Sequence, residues 1–115
     1  MPMPICLYHA TPKVHAQSIV TNGLKPRSVG GEEIAYLCMS GTEVGAVTLG
    51  SQASDIIFRV KSSKLKSGDW SERGAGKNEW RSTIDIPGND LEYRRNLGDP
   101  RQKTWRAANE YPKGM

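Results

Sequence analysis

The apolar residues of this 115-residue chain fall in short runs, each closed by Gly, Pro, Asn or a cluster of charge. Ile5-Cys6-Leu7-Tyr8, Ile34-Ala35-Tyr36-Leu37-Cys38-Met39 and Ile56-Ile57-Phe58-Arg59-Val60 are long enough for strands and too short for long helices. Apolar residues make up 37% of the chain, and the mean hydropathy is −0.58. That is lean, but the clustering separates it from disordered sequences, whose few apolar residues are scattered. The length suits one domain and not two independent cores. With one Phe, the core has to be filled by Ile, Val, Leu, Tyr and Trp, so a modest core is expected.

Along the chain, Ile5–His9 reads as a first strand. Thr11 reads as a helix N-cap with Pro12 at the first helical position, where its missing N–H does no harm. That helix runs through Val14, Ser18 and Ile19 and stops at Asn22-Gly23. A polar, Gly-rich connection over 28–33 leads to a second strand, Ile34–Ser40. Ser40 or Thr42 then caps a short helix from Glu43 to about Leu49. Asp55–Val60 is the clearest strand. Residues 66–78 read as an exposed loop, 79–84 as a further strand, and 90–95 as one more strand or a turn of helix. The expected architecture is α+β, with one early helix and several short strands. It divides into a domain over 1–97 and a basic polar tail over 98–115 with little order.

Several classes are excluded or disfavoured. No stretch of about 18 apolar residues exists to span a bilayer, and the N-terminus lacks the basic start and apolar run of a secretory signal. A cytoplasmic protein with no membrane partner is expected. Cys6 and Cys38 lie in apolar runs and are expected as two buried reduced thiols, with a disulfide as the alternative. Neither cysteine nor the two histidines have metal-ligand spacing, so no metal is expected. Net charge is +4 and unevenly spread: residues 1–57 hold three Lys/Arg against four Asp/Glu, and residues 58–115 thirteen against eight. The basic half suits either a polyanionic partner or an ordinary solvated surface.

Taken singly, the notable residues have plain structural readings: His9 as a surface or structural histidine, Tyr36 as a core aromatic, Glu79 as a solvated edge charge. Their order and setting add more. The chain runs through Tyr-His-Ala-Thr-Pro, a helix, Asn-Gly-Leu-Lys-Pro, Ala-Tyr-Leu-Cys-Met-Ser and Ile-Ile-Phe-Arg-Val-Lys. A Gly-rich loop, Asn-Glu-Trp-Arg-Ser and Ile-Asp-Ile-Pro then follow. Over roughly residues 5 to 93 this resembles the ADP-ribosyltransferase superfamily, in the branch whose triad is His, Tyr, Glu. Within it the chain is most similar to the DNA-targeting toxins and the small bacterial and phage effectors. The specificity comes from short matches in the right order and spacing, none of them long.

The resemblance implies a compact fold with a split, mixed or antiparallel β core, and NAD as co-substrate. It implies that His9 holds the hydroxyls of the nicotinamide ribose, with Ala10 and Thr11 beside it, that Tyr36 stacks on the nicotinamide, and that Ser40 lines the same pocket. Glu79 would be the catalytic carboxylate. A carboxylate near the ribose would stabilise the positive charge that grows as nicotinamide leaves, and an aromatic face suits a cationic ring. Family members that modify arginine usually carry Glu or Gln two positions before that carboxylate. Here Lys77 stands there, which disfavours arginine as acceptor.

The loop before Glu79, with Trp70, Arg73 and Lys77, is implied as the recognition loop. A basic loop with an exposed aromatic suits DNA or RNA better than protein, unless Trp70 folds back onto the core. Lys13, Lys25 and Arg27 are candidates for the NAD phosphates. The alternatives are an RNA 2′-phosphotransferase of the same fold, a non-catalytic nucleic-acid-binding module using Trp70 and Trp105, and a small inhibitor of a partner protein. The phosphotransferase reading lacks a second pocket histidine, because His15 falls inside the first helix.

Overall fold

A computed structural model describes residues 3–27, 35–49, 54–73, 78–96 and 104–113. Among them lie strands β1 (Cys6–Thr11), β2 (Leu37–Ser40), β3 (Ile56–Lys61), β4 (Trp70–Glu72), β5 (Glu79–Ser82), β6 (Leu91–Arg95) and β7 (Arg106–Ala107). Two short helices accompany them, α1 (Ala16–Asn22) and α2 (Glu43–Leu49). The strands form one sheet in the order β4-β5-β2-β1-β3-β6-β7, every neighbouring pair antiparallel. The expected α+β class holds. No helix among the described residues is long and apolar enough to cross a membrane.

The joins between strands differ in strength. β1 follows β3 along its whole length, from Cys6↔Lys61 to Thr11↔Ile56. On its other side it meets β2 through a single pair, Tyr8↔Ser40. Past that pair β1 continues through His9, Ala10 and Thr11 without pairing to β2, so the sheet opens between them.

Strand alternation gives the sheet two different faces. One carries Leu7, Ile56, Phe58, Val60, Leu91 and Tyr93, with Leu37, Met39, Trp70 and Trp80 on the far side of the opening. Ala16 and Ile19 of α1, with Leu24, Ile86 and Ala108, complete this core. Burying each large apolar side chain contributes about 1.5–3 kcal/mol, and Trp and Tyr supply the bulk that the scarcity of Phe withholds.

The other face carries Tyr8, Ser40, Arg59, Glu79, Arg81, Glu92 and Arg94, and α2 lies on it. Thr42 caps α2 by accepting the Gly45 N–H at 3.0 Å, while Ser40 Oγ accepts the Thr42 N–H at 3.2 Å. Both capping candidates therefore act in one relay. Gly45 rests directly on Ser40, where a Cβ would overlap the hydroxyl. From the first turn of α2, Glu43 accepts from the buried Arg94 at 2.8 Å (Nε) and 2.6 Å (Nη2).

Four expectations need correction. Thr11 is not a helix cap: it ends β1, buried and paired with Ile56. A 3₁₀ turn over Lys13–His15 precedes α1, and Asp55 accepts the Lys13 N–H at 2.9 Å in its place. The loop expected over 66–78 contains β4, which pairs with β5.

The tail is not without order over 104–113, where β7 pairs with β6. Trp105 lies there with the Arg59 guanidinium 4.2 Å from its ring centre and Tyr8 at 6.0 Å. Tyr93 donates its hydroxyl to the Lys113 carbonyl at 2.8 Å. Residues 98–103 lie outside the described part.

The cysteines are not disulfide-bonded, but neither is fully buried: Cys6 is half-buried and Cys38 exposed. They stand two residues before Tyr8 and Ser40 on antiparallel strands, hence on opposite sides of the bridge. At about 3.3 Å per residue they are displaced about 13 Å along the sheet. A disulfide tolerates a Cα separation of no more than about 7 Å.

Candidate functional site

The opening between β1 and β2 gathers most of the residues singled out in the sequence. His9, Ala10 and Thr11 form its β1 side. Tyr36 stands just before β2 on the other side, held by a backbone bridge with Arg27: the Arg27 N–H reaches the Tyr36 carbonyl at 3.0 Å, and the reverse bond is 3.2 Å. The segment after α1 thus runs beside Tyr36, with Arg27 near enough for its charge to act on His9. Burial, and secondly the positive charge of Arg27, lower the His9 pKa from 6.5 to about 4. The imidazole is therefore neutral at pH 7, able to donate from one nitrogen and accept at the other.

Glu79 opens β5 directly opposite Ser40, the residue that also forms the single bridge to Tyr8. Glu79, Ser40, Tyr8, Arg59 and Glu92 consequently make one row across five strands, on the α2 face. Burial raises the Tyr8 pKa, with Cys6 and Glu43 adding to the effect, so its phenol remains protonated over the neutral range. Arg81, two residues after Glu79, points to the same face, and its guanidinium lies 4.3 Å from the centre of the Tyr36 ring. Tyr36, Ser40, Arg81 and Glu79 are thus gathered on one side. By alternation His9 shares the face of Leu7 and Thr11, so it borders the opening from the opposite side of the sheet.

The residues of the implied recognition loop divide. Trp70 is 7% exposed and belongs to the core, so it offers no stacking surface to a ligand. Arg73 is exposed, and its N–H bonds the Glu79 carbonyl at 2.7 Å. Lys77 lies outside the described residues. Of the phosphate candidates, Lys25 pairs with Asp85 at 3.4 Å, Lys13 is exposed beside Asp55, and Arg27 alone is shown acting on His9. His15 ends the 3₁₀ turn just before α1 and not within the helix; it is exposed, and its side chain makes no capping bond. Trp105 is half-buried among Tyr8 and two arginines, so its indole is largely engaged within the protein.

Two site neighbours escaped the sequence reading, Arg81 and Asn78. Alternation along Glu79-Trp80-Arg81 could have flagged Arg81 as sharing a face with Glu79. Its contact with Tyr36 depends on the β2–β5 register, which no local pattern reveals. Among the described residues, no three of His, Cys, Asp or Glu converge as a metal set. Comparisons of the chain with protein-family models, with curated proteins and with solved structures found no match.

Proposed function

We propose that the protein is an NAD-dependent ADP-ribosyltransferase that releases nicotinamide and transfers ADP-ribose to a macromolecular acceptor. The observation that carries this reading is the opened sheet. A strand ending in His9-Ala10-Thr11 and a strand led by Tyr36 part from each other, and Glu79 stands level with the one pair, Tyr8↔Ser40, that still joins them. An extended dinucleotide suits such an opening. His9, neutral at pH 7, serves as a hydrogen-bonding partner for ribose hydroxyls rather than as a charge. Tyr36 supplies the aromatic face for the cationic nicotinamide, and Ser40 a small hydroxyl beside it. Glu79 supplies negative charge as the glycosidic bond breaks and the ribose carbon becomes cation-like.

The acceptor favoured is a nucleic acid. Lys61 and Arg73 are exposed at the end of the sheet where β5 begins with Glu79, and Lys64 and Lys66 are exposed on the connection from β3 to β4. Cations in such a group attract phosphates without reading a base sequence.

The test is nicotinamide release from NAD by the purified protein, alone and with DNA, RNA or protein lysate added separately. Release that requires Glu79 and is accelerated by one additive supports the reading and identifies the acceptor class. No release under any of these conditions, together with no NAD binding by calorimetry, refutes it.

A further inference from the structure

Asn78 is the only described non-glycine residue in the left-handed region, with φ 56°. Asn tolerates this conformation better than most residues, because its short amide can bond locally. Its main-chain N–H, its carbonyl and its side-chain oxygen are all engaged. Its N–H donates to Glu72 Oε2 at 2.9 Å, and its Oδ1 accepts the Trp80 indole N–H at 3.2 Å. Its carbonyl accepts the Gly41 N–H at 2.9 Å. The amide also lies flat against Gly41, where a Cβ would overlap it. One residue therefore ties together the end of β2, the end of β4 and a core indole that is 5% exposed. The next residue in the chain is Glu79.

From this we infer that Asn78 is the positioning residue of the Glu79 carboxylate. The inference rests on the transferase reading of Glu79 given above. The left-handed turn sets the direction in which the chain enters β5. The bond to Trp80 anchors that entry to the core, and the contact with Gly41 fixes its height against Ser40. A carboxylate that stabilises a transient cation has to be held to within fractions of an ångström, and misplacement by about 1 Å costs on the order of 100-fold. Asn78 touches none of the reacting groups in this arrangement and acts through its neighbour.

Three substitutions separate positioning from general support of the fold. Asn78→Gly keeps the left-handed backbone and removes the amide. The expected result is a kcat for nicotinamide release lowered about 10- to 100-fold, with the NAD dissociation constant within about twofold of wild type. Asn78→Asp keeps an oxygen for the indole and tolerates the same φ, and it is expected to recover most of that loss. The Trp80 indole N–H resonance should shift in the Gly variant and return toward its wild-type position in the Asp variant. Gly41→Ala pushes the amide away and is expected to lower kcat in the wild-type background, yet to add little to Asn78→Gly.

An unchanged kcat in Asn78→Gly, or a loss from Gly41→Ala of equal size in both backgrounds, overturns the inference while the transferase reading stands. Absence of nicotinamide release from the wild-type protein overturns that reading, and this role with it.

Discussion

The guanidinium of Arg81 lies over the ring of Tyr36, 4.3 Å from its centre. A cation on an aromatic face contributes about 0.5–2 kcal/mol, more as water is excluded. In the free protein Arg81 thus occupies part of the surface proposed for the nicotinamide. Tyr36→Ala is expected to weaken NAD binding about 2- to 30-fold, the range that this energy spans. Tyr36→Phe should bind nearly as wild type, because the face is kept. Arg81→Ala should tighten binding, because the competing cation is gone. Calorimetric titration of the three variants decides, and weaker binding by Arg81→Ala would show that Arg81 contacts the ligand instead of competing with it.

Glu79→Gln conserves shape and removes the charge. Removal of one preorganised group that stabilises a transition-state charge costs about 100- to 1,000-fold in rate. That loss is expected in nicotinamide release, with thermal stability unchanged and NAD affinity nearly so. Single-turnover rates and a melting curve on the same samples would check both. Wild-type turnover in this variant would exclude Glu79 as the working carboxylate.

How far the sequence could be read depended on whether the signal was local. β3 and α2 were visible in the chain itself, one as a continuous apolar run, the other through Thr42 and Ser40 placed just ahead of it. Thr11 misled because Thr followed by Pro is a good cap in isolation, whereas pairing with β3 through Ile56 extends the strand and buries it. Residues 104–113 lack an apolar pattern and dock instead through Trp105 on Arg59, Tyr111 edge-on to Tyr93, and one hydroxyl bond to Lys113. None of these pairings is encoded near its own position. The candidate site divides the same way. His9, Tyr36 and Glu79 could be picked out as residue types in order, but Arg27 beside His9 follows from its bridge to Tyr36, Arg81 on Tyr36 from the β2–β5 register, and the bonds of Asn78 to Glu72 and Gly41 from contacts between strand ends.

His9 makes stability depend on pH in a definite direction. Its pKa is about 4 in the folded chain against 6.5 as a free side chain. Between those values the unfolded chain binds the proton more tightly, so stability is fully present above about pH 6.5 and is lost as pH falls toward 4. At 1.36 kcal/mol per unit the loss amounts to no more than about 3 kcal/mol, less to the extent that the partly exposed ring keeps its water. Urea midpoints measured from pH 7 to pH 4 should fall more steeply for wild type than for His9→Gln. Parallel curves would mean that His9 is freely protonated in the folded protein.

Glu43 and Arg94 form the ion pair that stability should feel most. The Arg94 side chain is 7% exposed, and Glu43 reaches it from α2 at 2.6 Å. Lys25 and Asp85, at 3.4 Å, are 59% and 55% exposed. Water solvates the second pair whether or not it forms, so breaking it should cost less than about 1 kcal/mol. Glu43→Ala leaves a guanidinium in the interior, beside Trp105 but without its carboxylate, and should cost about 3 kcal/mol or more. The same substitution removes the tie between α2 and β6, so the helix that lies on Ser40 loses an anchor as well. Lys25→Ala, Glu43→Ala and Glu43→Gln compared by urea unfolding test this ordering, with the Gln variant expected between the other two because it can still accept a hydrogen bond. Equal losses for Lys25→Ala and Glu43→Ala would mean that Arg94 finds water or another acceptor when Glu43 is gone.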